Sequence, residues 1–390
     1  MRQGEGIGQT QEERNIGVMR GWYPRWAYQT AWNLHKITEE FEADTGKVKA
    51  LKDFQPHFTK PDYFKNRVKR GPAIICGAGP SLDSELDNLK NSQMPIFISE
   101  TLFGLFRYHG IRADYVCNYD AAQHWDLFLK EYDKEGSTLV THPGVDPRVI
   151  DGWEGDKIYY LMNHISKIDP NQLKEGMSIA DVVANIKNQT FGSELFEALN
   201  PILYRMIATT ILNAGCVVNN ALQVANFMGY GPIFLVGCDF GFTGDQNRCR
   251  GWFRRDGEWV CQEPYFGVTE ENVGRDLIVA NNGILSTEEQ MEYKLALMSI
   301  YRIEQAQIYN CSGGIVTELP KVELKEVIEK NGKGFRRRSA EKIERVCHDF
   351  MAGWQSVSNE RIKNREDAKV LPVVSEGAGD GSDPVEVGGD

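Results

Sequence analysis

Residues 72–82 read Pro-Ala-Ile-Ile-Cys-Gly-Ala-Gly-Pro-Ser-Leu. An apolar run from Ala73 to Cys76 enters Gly77-Ala78-Gly79-Pro80-Ser81, and a helix-like segment follows. A short apolar run bounded by turn residues reads as a buried strand. Gly77 and Gly79 are free to take positive φ and leave room for a ligand to approach the main chain. Pro80 suits the first turn of a helix, where its missing N–H is not needed. Ser81 adds a hydroxyl beside helix-start amides, an arrangement that favours phosphate. The same residues also make a tight β–α turn with no ligand. Only two of the three glycines of the dinucleotide fingerprint are present, so a plain match to it fails.

Outward from this turn the chain alternates. Strands are expected at 73–76, 95–99, 113–119, 137–141 and 157–161, with helical segments at 82–91, 101–109 and 121–133. This rhythm predicts an α/β fold, a Rossmann-like, mostly parallel sheet flanked by helices. Residues 163–190 are less regular and read as an inserted lid or loop. Helical segments at 192–213 and 216–228 precede a buried strand, 232–237, that ends at Cys238-Asp239. Residues 251–262 read as a β-hairpin around an Asp256-Gly257 turn. A helix at 287–304 and a strand at 307–310 complete the pattern.

Four parts follow from this reading. Residues 1–70 form an aromatic-rich, partly helical N-terminal extension, and 71–330 form the Rossmann-like domain. Residues 331–370 form a charged helical extension, and 371–390 a disordered acidic tail. Residues 1–17 are expected to be mobile, with Pro24 in the first turn of the helix that follows. Trp22, Tyr23, Trp26, Tyr28 and Trp32 offer either an interface with a partner or membrane, or a face packed on the core. Tyr28 and Trp32, four apart, share one helix face. Arg336-Arg337-Arg338 reads as a solvated helix face or a contact for an anionic partner.

The net charge is −11, of which −5 falls in the last twenty residues. The body is only mildly acidic, which argues against nucleic-acid binding. No apolar run reaches the length of a membrane span, and the N-terminus lacks a secretory pattern. The eight cysteines include no C-x-x-C pair. A cytoplasmic, reduced protein is expected. Cys249 and Cys261, which flank the hairpin, are expected as free thiols rather than metal ligands.

Ligands of open α/β sheets collect beyond the carboxyl ends of the strands. Polar residues fall at five such ends. They are the 77–81 turn, Ser99-Glu100-Thr101, Asn118-Tyr119-Asp120, Thr141-His142, and Asp239 with Phe240-Gly241-Phe242-Thr243 beyond it. Gly77, Ala78, Gly79, Pro80, Ser81, Ser99, Glu100 and Asn118 are the candidate nucleotide-binding residues. Asp120 and Asp239 are the candidate reacting carboxylates, either as Mg²⁺ ligands or with one of them as a base toward an acceptor hydroxyl. Asp120 also suits a helix cap. His124 and His142 are candidate catalytic histidines, each set against a structural role. No tightly bound cofactor is expected, and Mg²⁺ enters only if the carboxylates act as its ligands.

Three blocks carry a family resemblance. The first is Ile75-Cys76-Gly77-Ala78-Gly79-Pro80-Ser81-Leu82, with Ala113-Asp114-Tyr115-Val116 through Asp120 downstream. The second runs from Gly215 to Asp239, through Ala221-Leu222-Gln223-Val224-Ala225 and Ile233-Phe234-Leu235-Val236-Gly237-Cys238-Asp239. The third is Ile308-Tyr309-Asn310-Cys311-Ser312-Gly313-Gly314. Together they resemble the MptE-like family, which includes 6-hydroxymethylpterin diphosphokinases and the motility accessory factors, similar to sialyltransferase-fold glycosyltransferases. The resemblance implies a Rossmann-like domain that binds a nucleotide or nucleotide-sugar through the Gly77–Ser81 turn and transfers a group to an acceptor. It leaves three readings: a nucleotide-sugar-dependent glycosyltransferase, an ATP- and Mg²⁺-dependent diphosphokinase, or an inactive nucleotide-binding fold acting as an interaction module. The aromatic N-terminal region would be the contact for a protein partner. The sialyltransferase-like branch uses His and Tyr near a CMP leaving group, and here His124, His142 and His164 compete for that position.

Overall fold

The computed structural model describes residues 11–55, 68–120, 124–163, 203, 206–207, 209–212, 215–244, 246–262, 277–280, 283–303 and 307–335. The inserted segment expected at 163–190, the run Arg336-Arg337-Arg338 and the acidic tail lie outside these residues, apart from Asn163 itself.

Eight strands form the main sheet: β1 (Val48–Ala50), β2 (Gly71–Cys76), β3 (Ile96–Ser99), β4 (Tyr115–Cys117), β5 (Thr138–Thr141), β6 (Lys157–Tyr159), then β9 (Tyr230–Val236) and β14 (Ile308–Asn310). Their order is β1-β6-β5-β4-β3-β2-β9-β14, and every neighbouring pair is parallel. Parallel strands are covered on both faces, so they read as continuous apolar runs rather than alternating ones. Ile74, Ile75 and Cys76 of β2, Ile96, Phe97 and Ile98 of β3, and Ile233 to Val236 of β9 are all buried. These runs made the central strands legible.

Three short pairs lie outside the main sheet. β7 (Leu161–Asn163) pairs with β8 (Thr210–Leu212), β10 (Gly251–Arg255) with β11 (Glu258–Gln262), and β12 (Leu277–Val279) with β13 (Leu285–Thr287). The β10–β11 hairpin turns at Asp256 (φ +52°) and Gly257 (φ +83°), both left-handed as Asp-Gly turns demand. The helices are α1 (Gln11–Glu42), α2 (Leu86–Lys90), α3 (Phe103–His109), α4 (Pro147–Gly152), α5 (Val217–Phe227), α6 (Glu288–Ile303) and α7 (Leu324–Glu329).

The structure differs from the sequence reading at residues 11–17, 210–212 and 48–50, among others. Residues 11–17, expected to be mobile, belong to α1, which runs through Pro24 instead of starting near it. Within the segment expected to be helical at 192–213, residues 210–212 form strand β8 on β7. Residues 48–50, assigned to the N-terminal extension, are the edge strand of the main sheet.

α1 is tied to the sheet by polar contacts that its sequence does not advertise. Glu40 accepts from Lys157 Nζ at 2.5 Å and from the Tyr159 hydroxyl at 2.9 Å. The Asn33 amide donates to the carbonyls of Pro143 and Val145 at 2.8 and 2.9 Å. Trp26 packs inside, whereas Tyr28 and Trp32, each 61% exposed, face outward with ring centroids 6.1 Å apart. The aromatic segment therefore divides between core and surface.

Strands β3 to β6 leave β2 on one side, and β9 and β14 on the other. The carboxyl ends of β2 and β9, paired at Cys76 and Val236, mark the point where strand order reverses. Ligands of doubly wound sheets bind in the crevice at such a point.

Candidate functional site

The glycine turn leaves β2 at this reversal, but neither of its glycines takes positive φ. Gly79 is extended, at φ −73° and ψ 161°. The expectation that left-handed backbone explains these glycines is therefore corrected. What they provide is close approach. A Cβ at Gly77 would stand 2.6 Å from the Gly237 carbonyl oxygen, and one at Gly79 would overlap the Asp239 carboxylate. Left-handed backbone lies across the crevice instead, at Gly237 (φ +63°) and Phe240 (φ +47°) after β9 and Gly314 (φ +75°) after β14. For a phenylalanine this conformation is costly, and such strain concentrates at sites and switches.

The amides of the turn are engaged by the chain itself. Gly77 N–H donates to the Val236 carbonyl at 2.8 Å, Gly79 N–H to the Gly237 carbonyl at 2.7 Å, and Leu82 N–H to the Gly79 carbonyl at 3.1 Å. Asp239 Oδ2 accepts from the Ser81 hydroxyl at 2.8 Å and from Ser81 N–H at 3.3 Å. A carboxylate of the chain thus occupies the anion position that the sequence assigns to phosphate. The β14 loop closes the other side. Cys238 N–H donates to Ser312 Oγ at 2.8 Å, and Ile315 N–H to the Asp239 carbonyl at 2.9 Å. A Cβ at Gly313 would come 2.8 Å from Asp239 Oδ1. The first block and the ends of the other two are therefore the parts of one clasp. Burial raises the Asp239 pKa, against the lowering influence of Ser81 and Lys321.

Past β3, the second group of rim residues is arranged differently. Glu100, 1% exposed, places Oε1 2.7 Å from His124 Nδ1. His124 precedes the short π-helical turn Trp125–Leu129, and its ring meets Phe128 edge-on at 5.2 Å. Burial pulls the His124 pKa down, but Glu100, with Asp120 and Asp146 in range, outweighs it and the net shift is upward. A carboxylate that fixes one ring nitrogen orients the other, the logic of a carboxylate–histidine pair in proton transfer. Nearby, Ser99 Oγ and Thr101 Oγ1 are 2.7 Å apart.

His142 has a polar partner at both ring nitrogens. Its Nε2 faces the Tyr119 carbonyl at 2.7 Å, and its Nδ1 accepts from Gly144 N–H at 3.1 Å. These partners fix the tautomer, with the proton on Nε2. Burial lowers its pKa to about 4, so the ring is neutral and holds the loop that carries Asn118, Tyr119 and Asp120. Of the two roles set against each other for His142, the structural one accounts for these contacts.

Asp120 and Asp239 follow strands that stand well apart in the sheet. Both lie beyond carboxyl ends on the same rim, but β4 stands three strand spacings from β9, about 14 Å. The Asp239 carboxylate is held between the turns after β2 and β14, away from β4. Asp120 lies within electrostatic range of both His124 and His142 instead.

A family model described as 6-hydroxymethylpterin diphosphokinase MptE-like matches residues 48–245. The chain belongs to the MptE-like family. The match takes in β1 to β9 with the glycine turn, Glu100, His124 and Asp239, and leaves out α1 and the β14 half of the clasp. Among solved structures, the chain is similar to the MAf glycosyltransferase from Magnetospirillum magneticum AMB-1. The identity is 18% over 76% of this chain and 39% of that one, at a TM-score of 0.44. This MptE-like chain spans about two-fifths of the length of that protein. No curated protein matches it.

Sequence reasoning named Glu100 and His124 separately and did not pair them, because 24 positions and a strand change intervene. It also gave Ser312 no role; the Gly313-Gly314 pair after the last strand was the available signal. No described helix is long and apolar enough to cross a membrane, and each of the seven described cysteines is a free thiol.

Proposed function

We propose that this protein is a nucleotide-sugar-dependent glycosyltransferase, with the donor in the crevice at the strand reversal and His124 as the proton-transfer group. The observation that carries this reading is the pairing of buried Glu100 with half-buried His124 one strand away from the glycine turn. The nucleotide lies from the β2 turn outward across the carboxyl ends of β3 and its neighbours, past Ser99 and Glu100. Catalysis comes from positioning donor and acceptor, and from His124 accepting the acceptor hydroxyl's proton at Nε2. No step is routed through Mg²⁺, since β4 and β9, which precede Asp120 and Asp239, stand three strand spacings apart.

A second reading, an ATP-dependent phosphotransferase acting on a pterin-like alcohol, is favoured by the description of the family itself. The two are separated by thermal shift of the full chain with CMP, CDP, UDP, GDP, ADP and ATP, each with and without Mg²⁺. A ligand at 100 times its dissociation constant adds about 2.7 kcal/mol to the native state. Stabilisation by a nucleotide without metal supports the glycosyltransferase, and stabilisation by ATP only with Mg²⁺ supports the kinase. Silence across the panel removes both and leaves an interaction module.

His124 is tested on the nucleotide-sugar that the panel selects. His124→Ala is expected to cut turnover about 100-fold or more, with the nucleotide-induced stabilisation retained. For a base whose pKa is raised, kcat/KM climbs with pH through a midpoint above the ordinary histidine value of about 6.5. Glu100→Gln removes the carboxylate and moves that midpoint down. An unmoved midpoint in Glu100→Gln excludes His124 as the titrating group.

A further inference from the structure

Glu100, Asn118 and Thr141 form a row across three neighbouring strands. Ser99 pairs with Cys117, and Cys117 with Val140, and each member of the row is the next residue along. Their relative exposures are 1%, 0% and 0%. Four polar atoms in this row have no hydrogen-bond partner among the described residues: Glu100 Oε2, both Asn118 amide atoms, and Thr141 Oγ1. Buried polar groups in folded proteins are satisfied almost without exception. Four such atoms on one rim call for a partner that the described residues do not supply.

The position of the row says what that partner is. β3 lies next to β2 at the strand reversal, and Glu100 follows Gly79 by 21 positions. In dinucleotide-binding sheets with the three-glycine turn, an acidic residue about 20 positions past it takes a ribose hydroxyl; this chain keeps two of the glycines and an acidic residue at the matching place. Glu100 has one oxygen for that task, because Oε1 holds His124 and Oε2 is unpaired. From β3 to β5 the row spans two strand spacings, about 10 Å, the length of a ribose with the polar edge of its base. The Asn118 amide offers a donor and an acceptor side by side, the pattern that reads a base edge.

We propose that this row is the nucleoside subsite of the donor. Glu100 Oε2 accepts from a ribose hydroxyl, and Asn118 and Thr141 take the polar edge beyond it. The inference rests on the reading of a nucleotide donor and deepens it: the ligand is a ribonucleotide, discriminated from its 2′-deoxy counterpart.

The test is calorimetric titration of the full chain with CMP, UMP, AMP and GMP and with the four 2′-deoxy counterparts. The tightest ribonucleotide is expected to bind at least ten times more strongly than its deoxy form. Glu100→Ala is expected to reduce that ratio below twofold. Should Glu100→Ala fail to fold, Thr141→Val keeps the shape of the side chain and removes only the unpaired hydroxyl. It is expected to weaken ribonucleotide binding several-fold without lowering the melting temperature. Equal binding of ribo and deoxy forms overturns the subsite and leaves the donor reading standing. Thr141→Val and Asn118→Leu proteins that melt higher with unchanged nucleotide affinity mark the row as a buried-water site and also overturn it. Binding of none of the eight overturns the subsite, and the thermal-shift panel with the diphosphates decides whether the donor reading falls with it.

Discussion

The two halves of the carboxyl rim satisfy their polar groups in opposite ways. Around β2, β9 and β14, the Gly77, Gly79, Ser81, Leu82 and Cys238 amides all find acceptors within the chain, and Asp239 Oδ1 is the one unpaired carboxylate oxygen of that clasp. Across β3, β4 and β5, four buried polar atoms of Glu100, Asn118 and Thr141 have no partner among the described residues. The glycine-rich half looks like the ligand site in the sequence, yet it is closed on itself. The half without a glycine signature is the incomplete one. A glycine turn can therefore be required by chain-to-chain approach rather than by a ligand.

The largest effect that bears on this contrast is expected at the closed half. Gly79→Ala drives a methyl group into the Asp239 carboxylate and toward the Gly237 carbonyl, where 2.6 Å would separate them. Backbone atoms give way poorly, so the cost is expected to be about 3 kcal/mol. It should appear as a lowered urea midpoint, and as loss of folding if the margin is smaller. A Gly79→Ala protein with wild-type stability and reduced nucleotide binding would reverse the comparison and restore the turn as a ligand cradle.

His142 tests the scaffold of the open half. His142→Ala gives up two buried hydrogen bonds, worth about 2 kcal/mol together. The folded pKa of His142 is about 4, below the ordinary histidine value of about 6.5. Its contribution is whole above pH 6.5 and is lost as pH falls from there toward 4. The stability gap between wild type and His142→Ala, read from denaturant titrations, should therefore narrow over that window. A gap that widens on acidification would mean that the charged imidazole is the stabilising form.

The smallest effect is expected from Asp239→Asn, and its sign is the informative part. Burial raises the Asp239 pKa, so its ionised form weighs against folding. That cost is absent below the unfolded value near 4 and grows as pH rises through the folded value. Asparagine keeps an acceptor for Ser81 without the charge. The melting temperature of Asp239→Asn relative to wild type should be higher at pH 7 than at pH 4. The opposite trend would show that the carboxylate charge holds the clasp together, through Ser81 and Lys321.

Most of the fold was legible because parallel strands buried on both faces leave an unmistakable trace. Pro-Ala-Ile-Ile-Cys, Pro-Ile-Phe-Ile and Pro-Ile-Phe-Leu-Val-Gly each gave a strand close to its observed limits. The Asp256-Gly257 turn gave the hairpin for an equally local reason, since few other residue pairs accept its backbone. The edge strand Val48–Ala50 and the strand Thr210–Leu212 were not legible, because three-residue strands carry too little periodicity to oppose their surroundings.

For the site, local sequence determined which residues stand at carboxyl ends: the glycine turn, Glu100, Asn118, Thr141 and Asp239 all follow apolar runs. Which of them meet was decided by strand order. Local pattern does not encode whether β9 inserts beside β2 or beside β6, and that choice puts Asp239 on Ser81, 158 positions away, instead of near Asp120. The pairing of Glu100 with His124, the neutral state of His142 and the unpaired atoms of the rim are likewise products of packing. They depend on which polar groups burial has separated from water, and only the tertiary structure fixes that.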